Sequence, residues 1–145
     1  MLKQLLLVLL LTGVTVIVHA VGTVHVVRPL SGIWSKSDGS QRSYAAAIPL
    51  SRLVSGLLLV HLFEMVIWAV AFTIVGMFPD FETSLYFSLK SYTTVGYGDV
   101  LPLPAWRLIG PLEAAVGVLM LGWSTGFIVA AVQQVLANRR PPPGS

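Results

Sequence analysis

The sequence predicts an all-α integral membrane protein with three spanning helices and a short re-entrant helix between the second and the third. Three observations carry that reading: scarce charge, three long apolar blocks, and one aromatic interruption too short to span. Nine basic and six acidic side chains among 145 residues fall far below the roughly one charge in four of a soluble domain. Mean hydropathy is +0.82, which leaves too little polar surface to cover a body in water. The net charge of +3 is scattered rather than gathered in a stripe with interleaved aromatics, which argues against a nucleic-acid partner. Cysteine is absent, so disulfides, thiolate metal sites and cysteine nucleophiles are excluded.

The first block, Leu5 to Val27, would rise roughly 35 Å as a helix, enough for a hydrocarbon core of about 30 Å. Its strongly polar side chains are His19 and His25. A stretch with Arg28, Pro29, Gly32, Lys36, Asp38, Gly39 and Arg42 then reads as a loop or surface-lying segment. The second block, Leu50 to Phe78, holds one acid, Glu64, and its length suggests a tilted span. Between Pro79 and Pro104 the chain is too short and too polar for a fourth span. Tyr86, Phe87, Leu89 and Tyr92 could nevertheless face neighbouring helices, with Asp80 as N-cap and Glu82 in the first turn. Phe81 to about Tyr92 is therefore expected to be a re-entrant helix, tolerated only where protein or a water-filled cavity surrounds it. The third block, Trp106 to Val135, has Glu113 as its internal charge and ends before Arg139, Arg140 and Pro141.

These blocks divide the chain into an additional amino-terminal helix (1–27), a linker (28–49), a two-helix module (50–136) and a short tail (137–145). Within the module the outer helix is 50–78, the re-entrant segment 80–99 and the inner helix 106–135. Arg28, Lys36, Arg42 and Arg52 precede the second span and Arg139 and Arg140 follow the third, so the positive-inside bias puts that side in the cytoplasm. The amino terminus is then outside and the carboxyl terminus inside. Lys3, the apolar run to Val18 and the Val18-His19-Ala20 triplet imitate a cleavable secretory signal. Cleavage would force both remaining spans against the charge bias, which favours retention.

The interruption contains Thr93-Thr94-Val95-Gly96-Tyr97-Gly98-Asp99. An ion leaving water needs its hydration oxygens replaced without a fixed anion that would trap it, and backbone carbonyls meet that need. Pointing them inward in successive rings requires conformations that Gly96 and Gly98 adopt freely. Thr94 adds a hydroxyl, and Val95 and Tyr97 would point outward and hold the ring open. Four TVGYG loops of this kind build the selectivity filter of potassium channels. The chain from about His61 to Val132 resembles the pore module of small prokaryotic potassium channels, with outer helix, pore helix, filter and inner helix. Through His61-x-x-Glu64, Trp68, Trp106-Arg107, Glu113 and Gly122-Trp123-Ser124-Thr125 it also resembles a bacterial three-span group with an added amino-terminal helix.

The resemblance implies a homotetramer in a lipid bilayer, here a bacterial inner membrane, conducting K+ passively and catalysing no reaction. Thr94, Val95, Gly96 and Tyr97 would hold K+, Gly98 would permit the outer turn, and K+ is the permeant ion rather than a cofactor. Gly117 is expected to be the inner-helix hinge and Gly122 a second small-residue position, with close helix contact as its plainer role. No span carries arginine at every third position, so no steep voltage sensor is expected. Eight residues follow Ala137, which predicts no cytoplasmic ligand domain. A weakly selective cation pore and a non-conducting auxiliary subunit remain alternatives.

Lys90, four residues before Thr94, is expected to pair with Asp99 or with Glu113 and, with Thr93, to support the filter, since an unpaired charge there is costly. Snorkelling to the outer water is the alternative. His61 and Glu64 share a helix face, and His19 lies at a similar depth on the first span. They would act as a hydrogen-bonded fastener between spans or as a proton sensor. Metal coordination by His19, His25, His61 and Glu64 lacks a compact two-histidine spacing.

Overall fold

The structure, a computed structural model, describes residues 2–34 and 47–137. Among the described residues four α-helices follow in order: α1 (Leu2–Trp34), α2 (Ala47–Ile74), α3 (Phe81–Tyr92) and α4 (Ile109–Ala137), with a 3-10 turn at Pro104–Trp106 before the last. Among the described residues there is no strand. α1, α2 and α4 are each long and apolar enough to cross a membrane. The short α3 packs between α2 and α4.

The boundaries follow local chemistry. α1 continues through Arg28 and Pro29 to Trp34, where the sequence predicts a loop. Pro29 has no N–H for the carbonyl one turn back, but that loss is tolerated in membrane helices whose neighbours support the backbone. Lys36, Asp38, Gly39, Arg42, Arg139, Arg140 and Pro141 lie outside the described residues. α2 ends at Ile74 rather than Phe78. Gly76 takes a left-handed φ of 67°, its N–H reaches Thr73 O at 3.1 Å and that of Met77 reaches Phe72 O at 3.0 Å. This is a Schellman stop, and buried Met77 and Phe72 share one apolar cluster beneath it. α3 starts where Asp80 accepts from Thr83 N at 2.7 Å and Thr83 Oγ1 at 3.0 Å, bonds that lower the Asp80 carboxyl below its usual range. α4 begins at Ile109, past Trp106, and carries Pro111 in its first turn, where a missing N–H costs least.

Burial is inverted relative to a water-soluble bundle. Leu6, Leu9, Leu10, Ile17, Leu59, Phe63 and Leu119 are exposed, whereas Gln4, Thr15, His19 and Thr23 form a buried polar seam on one face of α1. α1 and α2 approach closely through reciprocal notches: a Cβ on Gly22 would sit 2.7 Å from Val60, and one on Gly56 2.7 Å from Val26. At the other end the amide of Gln4 donates to Ala105 O. That contact puts the amino-terminal end of α1 beside the turn that follows the interruption.

The apolar core joins Trp68 and Phe72 of α2, Phe87 and Tyr92 of α3, and Ile109, Val116 and Met120 of α4. Trp68, fully buried, donates its indole N–H to Thr15 Oγ1 at 2.9 Å. Replacing Thr15 by Val removes the acceptor and leaves a buried N–H unpaired. We expect a loss of about 1 kcal/mol, read as a lower melting temperature in detergent. Thr15→Ser should restore the bond and the temperature. An unchanged melting temperature in Thr15→Val would show that the bond contributes nothing.

Candidate functional site: the loop after α3 and the groups behind it

α3 delivers the chain to the loop in a defined direction. Its last residue, Tyr92, is fully buried, and Thr93 caps the helix, its Oγ1 donating to Leu89 O at 2.6 Å. Two further backbone bonds curl the chain back under the helix end: Thr94 N–H to Ser91 O at 2.9 Å and Gly96 N–H to Lys90 O at 3.1 Å. Gly96 and Gly98 have φ of 50° and 76°, as the sequence leads one to expect of glycine there. Thr94, with φ of 63°, is among the described residues the single non-glycine with positive φ. For a β-branched residue that conformation costs on the order of 1–3 kcal/mol, a strain the composition does not announce.

Positive φ at residues 94, 96 and 98 alternates with negative φ at Val95 and Tyr97. Backbone of alternating hand leaves successive N–H groups on one side and successive carbonyls on the other. Such a segment can offer a row of oxygens to a cation without any carboxylate. Thr93 to Asp99 are exposed in the isolated chain, Tyr97 at 75% and Val95 at 50%.

Behind the loop, Lys90 is 5% exposed. Its ammonium donates to Asp99 Oδ1 at 2.6 Å and to Val100 O at 2.7 Å, and lies 5.2 Å from the centre of the Tyr86 ring. Tyr86 donates to the other oxygen of Asp99 at 2.5 Å. Of the two partners the sequence allows, the structure selects Asp99. Glu113, fully buried, instead receives Ser88 Oγ at 2.6 Å, and that hydroxyl also meets Met65 O at 2.9 Å. The Lys90 ammonium and then the Tyr86 hydroxyl hold the Asp99 carboxyl at about 2, below its ordinary 3.8. Because that value is depressed, the stabilisation is complete above pH 3.8 and is lost as pH falls through about 2.

On the inner helix, a Cβ on Gly117 would lie 2.1 Å from Tyr92 O. Gly117 is thus the point where α4 touches the end of α3. A Cβ on Gly122 would meet nothing within 4 Å.

Deeper in the bundle, His19, His61 and Glu64 come together, joined by two residues that sequence reasoning did not assign to them. Glu64 Oε1 meets His19 Nδ1 at 2.9 Å, and Tyr92 donates to Glu64 Oε2 at 2.5 Å. His61 Nδ1 meets Tyr92 Oη at 3.1 Å, and Ser124 Oγ bridges His61 Nε2 at 3.0 Å and His19 Nε2 at 3.3 Å. His25 is not part of it; its Nδ1 bonds Val21 O at 2.8 Å on the exposed face. The ligand-type atoms of His19, His61 and Glu64 lie within 4.8 Å of one another, close enough to surround a cation. Each of them already has a hydrogen-bond partner in the cluster. The 4-residue polar steps of α1 at Thr15, His19 and Thr23 are the signal that this face turns inward.

A loop strung between two membrane-crossing helices and a short helix aimed at it is the architecture of an ion channel pore. Residues 57–134 match the model of a family described as ion channel, and the chain belongs to that family of multi-pass membrane proteins. The TWiK family of potassium channels protein 18 of Caenorhabditis elegans is 51% identical over 53 residues, 37% of this chain and 11% of the relative. The potassium voltage-gated channel protein shk-1 of the same organism is 43% identical over 54 residues, 37% and 10% of the two chains. The calcium-gated potassium channel TvoK of Thermoplasma volcanium is 36% identical over 62 residues, 42% and 18%. The chain thus spans less than a fifth of the length of these relatives. No solved structure matches.

Proposed function

We propose that this chain is one subunit of a homotetrameric, potassium-selective channel, with Thr94, Val95, Gly96 and Tyr97 supplying the oxygens that replace the hydration shell of K+. The observation that carries this reading is the alternating hand of the backbone from Thr94 to Gly98 in a TVGYG sequence. Exposed Val95 and Tyr97 beside exposed backbone are untenable in hydrocarbon for one chain alone, which supports closure by three further copies around an axis. The carboxyl end of α3, with its negative dipole, would face the ion's path. The resemblance to potassium channels in the matched stretch agrees with this choice of ion. Gln4 beside Ala105 keeps the amino terminus on the side of the filter's mouth, in line with an outside amino terminus and a cytoplasmic carboxyl terminus.

Protein reconstituted in vesicles should pass K+ far better than Na+, and Ba2+ should block the flux. Equal K+ and Na+ flux would replace this reading by a weakly selective cation pore. A flux absent under every condition would favour a non-conducting auxiliary subunit.

A further inference from the structure

The side chains of Glu64, His19, Ser124, His61 and Tyr92 form a closed ring. Its links, in order, are 2.9, 3.3, 3.0, 3.1 and 2.5 Å long. α1 contributes His19, α2 His61 and Glu64, α3 Tyr92 and α4 Ser124. Every member is nearly or wholly buried, so solvent is not there to make up a missing bond.

A ring of five links needs five protons, one for each. Tyr92 and Ser124 bring one each, and two neutral imidazoles bring one each, which makes four. With Glu64 ionised and only those four, one link opposes two lone pairs and the buried ring carries a net negative charge. A fifth proton completes it. In one arrangement His19 Nε2 donates to Ser124, Ser124 to His61 Nε2, His61 Nδ1 to Tyr92, and Tyr92 to Glu64 Oε2. The remaining proton then lies between Glu64 Oε1 and His19 Nδ1, either on the carboxyl or on the imidazole, and the ring is neutral in both cases. With the Ser124 hydroxyl turned to His19 Nε2, His61 donates from both nitrogens, its Nδ1 3.3 Å from Glu64 Oε2, and the count is the same. A sixth proton would put two hydrogens on one link and leave a net positive charge. The five-proton state is the one that satisfies every atom without a buried net charge.

We propose that this ring is a proton-binding site that fastens α1 to the foot of the filter. It takes up one proton as a unit, and losing it loosens the hold of α1 on Tyr92. The output is short. Tyr92 is the last residue of α3, two before Thr94, and its carbonyl rests on Gly117. A side chain bonded to His61 and Glu64 of α2, and through them linked to His19 of α1 and Ser124 of α4, and a backbone in contact with α4 make Tyr92 the member through which the ring's state reaches the filter.

Among the described residues, the other buried charged side chains on these helices, Lys90 and Glu113, have their own partners. Lys90 of α3 is committed to Asp99, and Glu113 of α4 to Ser88, although Glu113 opposes negative charge on Tyr92. Trp123 of α4 packs against His19 with the rings tilted by 55° and their centroids 5.3 Å apart, and brings no charge. His25 of α1 faces outward and serves as an internal reference.

The test is a pair of pH series, from 5 to 9, on the full chain in lipid vesicles. Imidazole 15N spectra should show His19 and His61 changing together in a single step, with His25 changing independently. In Tyr92→Phe, which keeps the ring's shape but removes one link, the joint step should separate into two. Two independent steps in the unaltered chain, or no change at either histidine, would overturn the proposal whether or not the protein conducts. The coupling to the filter rests on the channel reading and has its own measurement. K+ flux should fall about tenfold as pH rises through the histidine step, and Tyr92→Phe should lose that dependence. A flux that is present but flat, or that rises, would remove the coupling; a flux absent at every pH counts against the channel reading, and the spectra alone then decide the ring.

Discussion

Gly117→Ala should lose most K+ flux and lower the thermal stability of the assembled protein. The added Cβ would sit 2.1 Å from the carbonyl oxygen of Tyr92, 2.9 Å from its carbon and 3.0 Å from Cδ1. Backbone cannot swing aside as a flexible side chain can, so α4 and the end of α3 must separate. Overpacking of this kind costs about 1–3 kcal/mol, and it acts two residues from strained Thr94. Gly117→Val should be worse, and Gly122→Ala, which meets nothing within 4 Å in its own chain, should be mild. A pure hinge would behave differently. Alanine would stiffen α4, reduce opening and leave thermal stability unchanged or raised. An unchanged melting temperature with reduced opening would therefore return Gly117 to the hinge role, and an unaffected flux would deny it both.

The same glycine shows where sequence reading stops. Apolar blocks of spanning length declare themselves, as does α3, whose start is written in Asp80 and whose apolar and aromatic residues are too few for another span. Gly96 and Gly98 are legible because a positive φ favours a missing Cβ. Gly117 has no such signature, since what it makes room for is a backbone carbonyl 25 positions away in the chain. Thr94 is hidden for the converse reason: a β-branched residue is the last one composition would assign to a left-handed conformation. The continuation of α1 through Pro29 is likewise a matter of surroundings, because the residue itself favours a break.

The ring is an intermediate case. His19, His61 and Glu64 could be brought together by depth and helix face alone. Tyr92 and Ser124 could not, because their places depend on how α3 and α4 cross α1 and α2. Ser124 lies 105 residues from His19 and 63 from His61. Without those two members, the cluster looks like a fastener with a choice of partners. With them it has a definite proton count, and that count turns a packing feature into a testable site.

Lys90→Met should shorten the conducting lifetime of the filter and destabilise the loop by about 2 kcal/mol, a factor of roughly 30 in equilibrium. The substitution removes a buried ammonium that bonds Asp99 at 2.6 Å and Val100 O at 2.7 Å. Asp99 is half-exposed, so water recovers part of its loss, while the Val100 carbonyl loses a charged donor. Asp99→Asn in the Lys90→Met background should add little, because the two residues act on the loop as a pair. A lysine that merely snorkelled would leave open times and selectivity unchanged in Lys90→Met, and that result would end the bracing role. The pH response separates the brace from the ring. With the Asp99 carboxyl at about 2, acidifying from pH 8 to 5 leaves the Asp99 carboxylate ionised. A pH dependence of the flux in that window should therefore survive in Lys90→Met and disappear in Tyr92→Phe. The reverse pattern would transfer the proton response from the buried ring to the loop's outer wall.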